Sequence, residues 1–390
     1  MTKTMPTVTA LCLGLLFAAG VPAQQAGSAK FTTFDAPGAG TGLGQGTYAY
    51  SINASGAIAG SYDGSGFPHG FVRAPGGAIT SFDAPGSTGT IATSINTEGV
   101  IAGFYDDEGL NEGFVRAANG AITTFAAPEV GYQGTLPYGI NASGVIAGWY
   151  GDASKVLHGF VRAADGAITS FDAPGAGSGA NQGTLAFSIN ASGAITGYYW
   201  DASLIYHSFV RAANGNMTTF DAPGAGTGGE GLGTYAVSIN DAGVVTGYYF
   251  DATSAQHAFV RTASGTVSSF EGPGAIATYP TGINASGYVV GYIFTQPNGS
   301  PLQGFVRGAE LGGIAKFRAP SAGTGNSEGT FPCSINNSGT IAGYYIDAGF
   351  VYHGFLLTPS PAGNAVVPAS TPATMMAAPT ALGLSRIIKK

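Results

Sequence analysis

Ser188–Gly224 reads SINASGAITGYYWDASLIYHSFVRAANGNMTTFDAPG, and copies of it fill most of the 390-residue chain. With Ile-Asn as a marker, seven copies begin at Ile52, Ile95, Ile140, Ile189, Ile239, Ile283 and Ile335. The differences between successive positions are 43, 45, 49, 50, 44 and 52 residues. Within the quoted copy, four short runs of β-branched and aromatic residues are separated by turn residues, the pattern of strands rather than helices. Strand A ends at Ser188-Ile189, B is Ala194 to Tyr199, C is His207 to Arg211 and D is Met217 to Phe220. The A/B turn Asn190-Ala191-Ser192-Gly193 has Asn first and Gly fourth, as a type I turn asks, and the C/D turn ends in Gly215 by the same logic.

Four strands per period of about 40 to 50 residues predict an all-β, seven-bladed β-propeller of four-stranded blades. The ends of the chain support it. Phe31-Thr32-Thr33-Phe34-Asp35-Ala36-Pro37 is a D strand with no A, B or C before it, and the seventh copy stops after its C strand, Tyr352 to Leu357. If the N-terminal strand completes the last blade, no sheet edge is left unpaired.

Outside the repeats, residues 1–23 carry one lysine, an apolar run from Ala10 to Val21 and the small-residue end Val21-Pro22-Ala23, which reads as a secretory signal peptide too short to span a membrane. Its removal takes Cys12 with it and leaves Cys333 alone, so no intramolecular disulfide is expected. The expected division is therefore 1–23 signal peptide, 24–358 propeller and 359–390 a Pro-, Ala-, Ser- and Thr-rich tail with a basic end. The chain is 44% hydrophobic and 9% charged, enough for a large core. A net charge of −7 and a pI near 5.1 argue against a nucleic-acid footprint. Its 65 glycines fall at turns and loops rather than at every third position, which excludes collagen.

The Ile-Asn-x-x-Gly, Ile-Ala-Gly and His-x-Phe-Val-Arg elements, with His257-Ala258-Phe259 spelling the name, resemble the HAF-family bacterial extracellular repeat proteins. That resemblance covers nearly the whole mature chain and implies secretion or cell-surface or periplasmic display and a repeated β architecture. It implies no activity, substrate or cofactor.

Strand alternation puts the uniform A/B and C/D turns on one side and the variable B/C and D-to-A loops on the other, so the variable side is the expected binding face. The aromatics Trp149, Trp200, Tyr206, Phe250 and Tyr352 lie beside those loops and are candidates for stacking on sugar rings, with packing between blades as the alternative. All five histidines occupy one repeat position and have an aspartate six residues upstream: Asp63 and His69, Asp152 and His158, Asp201 and His207, Asp251 and His257, Asp347 and His353. A carboxylate there can orient an imidazole for catalysis or metal binding, but a group needed in every blade is better read as a structural brace. The six arginines from Arg73 to Arg307 at the ends of the C strands are read as pairing between blades, with carbonyls or acids. The aspartates of Phe-Asp-Ala-Pro (Asp35, Asp83, Asp172, Asp221) are read as turn caps. Asp106, Asp107, Glu108 and Glu112 offer oxygen ligands for a calcium ion but match no EF-hand spacing. Neither Gly-x-Ser-x-Gly, His-Glu-x-x-His nor a phosphate loop occurs in the sequence.

The function expected is a secreted or surface-displayed binding or structural module, a monomer, for an extracellular polymer or protein. It has no cofactor, no nucleic-acid partner and no membrane span after signal cleavage. An extracellular polysaccharide-active hydrolase or lyase using the variable-loop face is the alternative.

Overall fold

Asn190 fixes the A/B turn of repeat 4 as its sequence demands. Its side-chain Oδ1 accepts the Ala194 N–H at 2.8 Å, while Gly193 takes φ +83° and donates its N–H to the Asn190 carbonyl. The strands on either side are Gly183–Ile189 (A) and Ile195–Trp200 (B), followed by Tyr206–Arg211 (C) and Met217–Phe220 (D). All of these lie within about a residue of the expected positions. This is a computed structural model, and it describes residues 29–64, 66–296, 301–309 and 312–359. Among the described residues there are 28 strands and no helix, so none is long and apolar enough to cross a membrane. The expected signal peptide, and the expected tail from residue 360 onward, lie outside the described residues.

Each repeat pairs A with B, B with C and C with D in antiparallel register, giving an all-β, propeller-like architecture. The phenylalanine of His-x-Phe-Val-Arg is fully buried in every copy, from Phe71 to Phe355, and with the B-strand isoleucine or valine forms the core of its unit. The B-strand glycine makes room for it. A Cβ built on Gly197 falls 1.9 Å from the Leu185 carbonyl oxygen, and one on Gly60 meets both Tyr48 backbone and the Phe71 ring. Only glycine lets strands A and B approach this closely.

Four contacts join successive repeats. A buried threonine at the start of strand A, such as Thr234, accepts the N–H of the Ala in the preceding Asp-Ala-Pro, Ala222, at 2.9 Å. The first residue of strand C donates its N–H to the loop before the next A strand, as in Tyr206 to Leu232 at 2.9 Å. The C-strand arginine lies over the D-strand phenylalanine of the preceding repeat, Arg211 over Phe171 at 4.9 Å, and the same holds for Arg73, Arg116, Arg162, Arg261 and Arg307. This corrects the expectation for these arginines: they do join neighbouring repeats, but their partner across the boundary is an aromatic face rather than an acid or a carbonyl. A guanidinium loses less by leaving water for a ring face than an ammonium would, which suits it to a half-buried seam.

The fourth contact is a chain of side-chain amides. Asn53 Nδ2 donates to the carbonyl of Asn96, Asn96 to Asn141, Asn141 to Asn190, Asn190 to Asn240, Asn240 to Asn284, Asn284 to Asn336, and Asn336 back to Asn53, at 2.9–3.3 Å. All seven asparagines are buried. The chain ends also meet. Lys30–Phe34 pairs antiparallel with Tyr352–Thr358, placing Phe31 opposite Leu357 and Phe34 opposite Gly354.

Candidate functional site on the variable-loop face

The histidines sit where strands B, C and D run side by side. His207 stacks on Tyr199, its cross-strand neighbour in B, with ring centroids 5.2 Å apart. Its Nδ1 meets the carboxylate of Asp221 at 3.0 Å. The other histidines repeat the pattern: His69 with Asp83, His158 with Asp172, His257 with Glu271, and His353 with Asp35 from the N-terminal strand, all at 2.7–2.9 Å.

The expected Asp-His pairing is thereby corrected. The close partner of His69, His158, His207 and His257 is the acid fourteen residues downstream, that of His353 is Asp35, and the aspartate six residues upstream is secondary. Asp152, Asp201, Asp251 and Asp347 reach the other ring nitrogen only at 3.4–3.7 Å, and Asp63 does not reach His69. Geometry gives the reason. Ser208 pairs with Phe220, so His207 and Asp221 are the next cross-strand neighbours, the closest positions a sheet offers. The upstream aspartates instead cap the B/C turn, as Asp201 Oδ1 does by accepting the N–H groups of Ser203 and Ile205. The upstream aspartates thus cap a turn and, in four repeats, also face the histidine as expected, while the Phe-Asp-Ala-Pro aspartates take the closer contact to the imidazole.

The Asp221 hydrogen bond raises the His207 pKa against the opposing pull of burial. A raised histidine pKa means stability that is fully present below the unfolded value of about 6.5 and lost as pH rises through the folded value. Asp221→Asn is therefore expected to cost about 1 kcal/mol near pH 5.5, for one half-exposed charged hydrogen bond, and less by pH 9. Urea melts of the two proteins across that range check it, and a pH-independent gap sinks the brace.

The candidate aromatics divide. Trp149 is corrected to core: it is 2% exposed, packed with Leu136, Leu157 and Leu185. The other four are half-buried at the ends of strands facing the variable loops. Trp200 packs on Tyr206 at 4.8 Å, Tyr206 on Tyr235 at 4.1 Å, and Tyr235 on Phe250 at 5.8 Å, while Tyr352 packs on Tyr48 at 4.4 Å. Sequence reasoning missed Tyr48, Tyr235 and Tyr279, which sit at the third residue of strand A and link these clusters; the aromatic at that fixed position was the available signal. Burial lifts the Tyr206 phenol to about 12, so it stays neutral and can both donate and accept.

The acidic stretch of repeat 2 does not gather around a common point. Asp106 accepts from Thr88 and the Gly109 N–H, and Glu112 accepts the Tyr105 phenol at 2.6 Å. Among the described residues no three His, Cys, Asp or Glu side chains are placed to hold a metal. The Cys333 thiol is pushed up to about 12 by burial, which makes it a poor nucleophile. On the opposite face, a depression of about 260 Å³ is lined by the Ile-Asn pairs and the residues after them, with the asparagine amides already engaged with one another.

No protein-family model matches the chain, and no curated protein matches it. Solved structures do resemble it in fold. A virginiamycin B lyase from Staphylococcus aureus in complex with quinupristin is 16% identical with a TM-score of 0.55, over 85% of this chain and 99% of that one. A streptogramin B lyase is 14% identical with a TM-score of 0.53, over 84% and 98%. An oligogalacturonate lyase from Vibrio parahaemolyticus is 10% identical with a TM-score of 0.53, over 85% and 97%. At such identities the likeness is one of fold.

Proposed function

We propose that this chain is a seven-bladed propeller, closed by Lys30–Phe34, that is exported and binds an extracellular polymer on its variable-loop face. Supporting closure are the seven sequence copies, the cycle of asparagine hydrogen bonds that returns from Asn336 to Asn53, and the pairing of the two chain ends. Supporting export are the signal-peptide pattern of residues 1–23 and the resemblance to extracellular repeat proteins.

One observation carries the binding reading. The half-buried aromatics Trp200, Tyr206 and Phe250 form one cluster through Tyr235, and Tyr352 packs on Tyr48 in another, at the ends of strands that open toward the variable loops, with the Tyr206 phenol kept neutral by burial. Flat apolar rings beside uncharged hydroxyls suit the alternating CH faces and hydroxyls of a polysaccharide. The histidines and their acids recur in five repeats, as a structural brace would. Trp200→Ala combined with Tyr206→Ala is expected to weaken binding of the best hit from a glycan array about tenfold or more while the chain remains folded. Binding that survives both changes rules out the aromatic face. Release of shortened product from the same glycans favours the enzyme reading, for which the fold has precedent in an oligogalacturonate lyase.

A further inference from the structure

Repeat 1 departs from its siblings in three ways that meet at one point. At four junctions the residue just before the histidine position donates its N–H across to the next repeat: Leu157 to Gln182, Tyr206 to Leu232, Leu302 to Glu328 and Tyr352 to Gln45. Repeat 1 has Pro68 at this position, which has no N–H to give, so the Thr88 carbonyl that stands in place of those acceptors receives no such bond. The seam opens into a cavity of about 280 Å³ lined by Phe67, Pro68, His69, Asp83, Ser87 and Thr88.

The second departure is His69 itself. In the four other copies Nε2 faces the upstream aspartate, whereas Asp63 is turned to the Gly66 N–H, and Nε2 of His69 has no partner among the described residues. Its Nδ1 is held by Asp83 at 2.9 Å, which places the proton there and leaves Nε2 as an acceptor. The third is Phe67, 57% exposed. Among the described residues only two other large apolar side chains are exposed, Leu43 at 79% and Phe350 at 36%, and the Phe350 carbonyl accepts the Gly44 N–H of the Leu43 loop. The Leu43 loop touches the Phe67 loop through the Gly40 N–H and the Asp63 carbonyl.

We propose that this opened seam is a second, peripheral binding site for one residue of a neutral glycan. The Phe67 face takes the CH surface of a pyranose, His69 Nε2 accepts a hydroxyl proton, and the Thr88 carbonyl is a further acceptor, the Thr88 hydroxyl being engaged with Asp106 and the Ser87 hydroxyl with Thr90. The site is neutral-selective because Asp83, 48% exposed, and the chain's net charge of −7 repel a uronic acid carboxylate. The site takes its ligand class from the polymer-binding reading, and its variants separate the two, since Phe67 and His69 belong to repeat 1 and Trp200 and Tyr206 to repeat 4.

The test uses the chain from residue 24 on an array of cello-, xylo-, manno- and maltohexaose with hexagalacturonate as the acidic member, followed by calorimetry. For the best neutral hit, Phe67→Ala and His69→Ala are each expected to weaken binding about tenfold. Pro68→Leu, which restores the N–H that Leu157 supplies in repeat 3, is expected to close the seam, keep or raise the melting temperature and weaken binding equally. Neutral glycan binding that is lost in Trp200→Ala but unchanged in the Phe67, His69 and Pro68 variants overturns this site and leaves the aromatic face standing. Preference for hexagalacturonate through Phe67 overturns the ligand class, and no binding by the folded chain to any member overturns both readings.

Discussion

A chain lacking residues 24–37 is expected to aggregate on refolding rather than to melt at a slightly lower temperature. Those residues supply the fourth strand of the last repeat, and several kinds of contact go with it. Phe31 packs against Phe317 and Phe355 with centroids 6.1 and 5.8 Å apart, and Phe34 lies 4.9 Å beneath Arg73 and 6.1 Å from Phe71. Asp35 holds His353, and the Ala36 N–H is the donor that the buried Thr47 accepts at 2.9 Å. Two partly buried phenylalanines alone are worth about 5 kcal/mol, comparable to the whole stability of many domains. Tyr352–Thr358 then becomes an exposed edge beside the buried Phe355 and Leu357, a template for pairing with another chain. Size-exclusion chromatography and thermal melting read the result, and a monomer with an unchanged melting temperature refutes closure. A permuted chain that carries 30–37 after Pro359 on a turn copied from Ala212-Ala213-Asn214-Gly215 should regain solubility, because every other repeat makes its D strand that way.

The strand positions were legible because a two-residue period and glycine-ended turns are local properties, written within each copy. The partners of the histidines were not, because distance along the chain is a poor guide to distance across a sheet. Yet the sequence held a better signal in its own repetition. Every repeat with a histidine has an acid opposite it across strands C and D: Asp83, Asp172, Asp221, Glu271 and, across the chain ends, Asp35. The two repeats that lost the histidine, with Glu112 and Gln303, have lost the acid as well, with Ala126 and Arg318 in its place next to the paired Phe125 and Phe317. The upstream aspartate shows no such dependence, since Asp106 persists in repeat 2 without a histidine. Loss of both members together marks a pair; persistence of one alone marks a turn cap.

The asparagines teach a related point. The turn requirement explains their Oδ1 and leaves the Nδ2 protons without an assignment, and a buried amide must place them. They go to the backbone carbonyl of the asparagine in the next repeat. Pro68 was open to the same accounting: a missing N–H at a position whose siblings donate is visible in sequence once the donor's role is known. Exposure of the aromatics was less legible: the buried Trp149 stands where repeat 4 has the half-buried Tyr198, and the half-buried Trp200 stands where repeat 3 has Gly151.

Gly197→Ala is expected to be a severely damaging substitution. A Cβ there would lie 1.9 Å from the Leu185 carbonyl oxygen, 2.9 Å from its carbon and 3.0 Å from Ala186 Cα, all backbone atoms of the paired strand. A side chain in the way can rotate aside, but here relief requires strands A and B to separate, breaking the register in which Leu185 faces Tyr198 and Ala186 faces Gly197. The move would also unseat Phe209, which is fully buried beneath. Overpacking of a core commonly costs about 1 to 3 kcal/mol, and with no rotamer to absorb the added methyl the cost here should lie at or above the upper end. Gly228→Ala is the matching control: no atom lies within 4 Å of the added Cβ, its φ is not in the left-handed region, and restricting the unfolded chain should leave stability unchanged or slightly raised. Chemical denaturation of the two variants beside the parent decides the matter. Equal midpoints for both would mean that the glycine of Ile-x-Gly is kept for some reason other than the close approach of two strands.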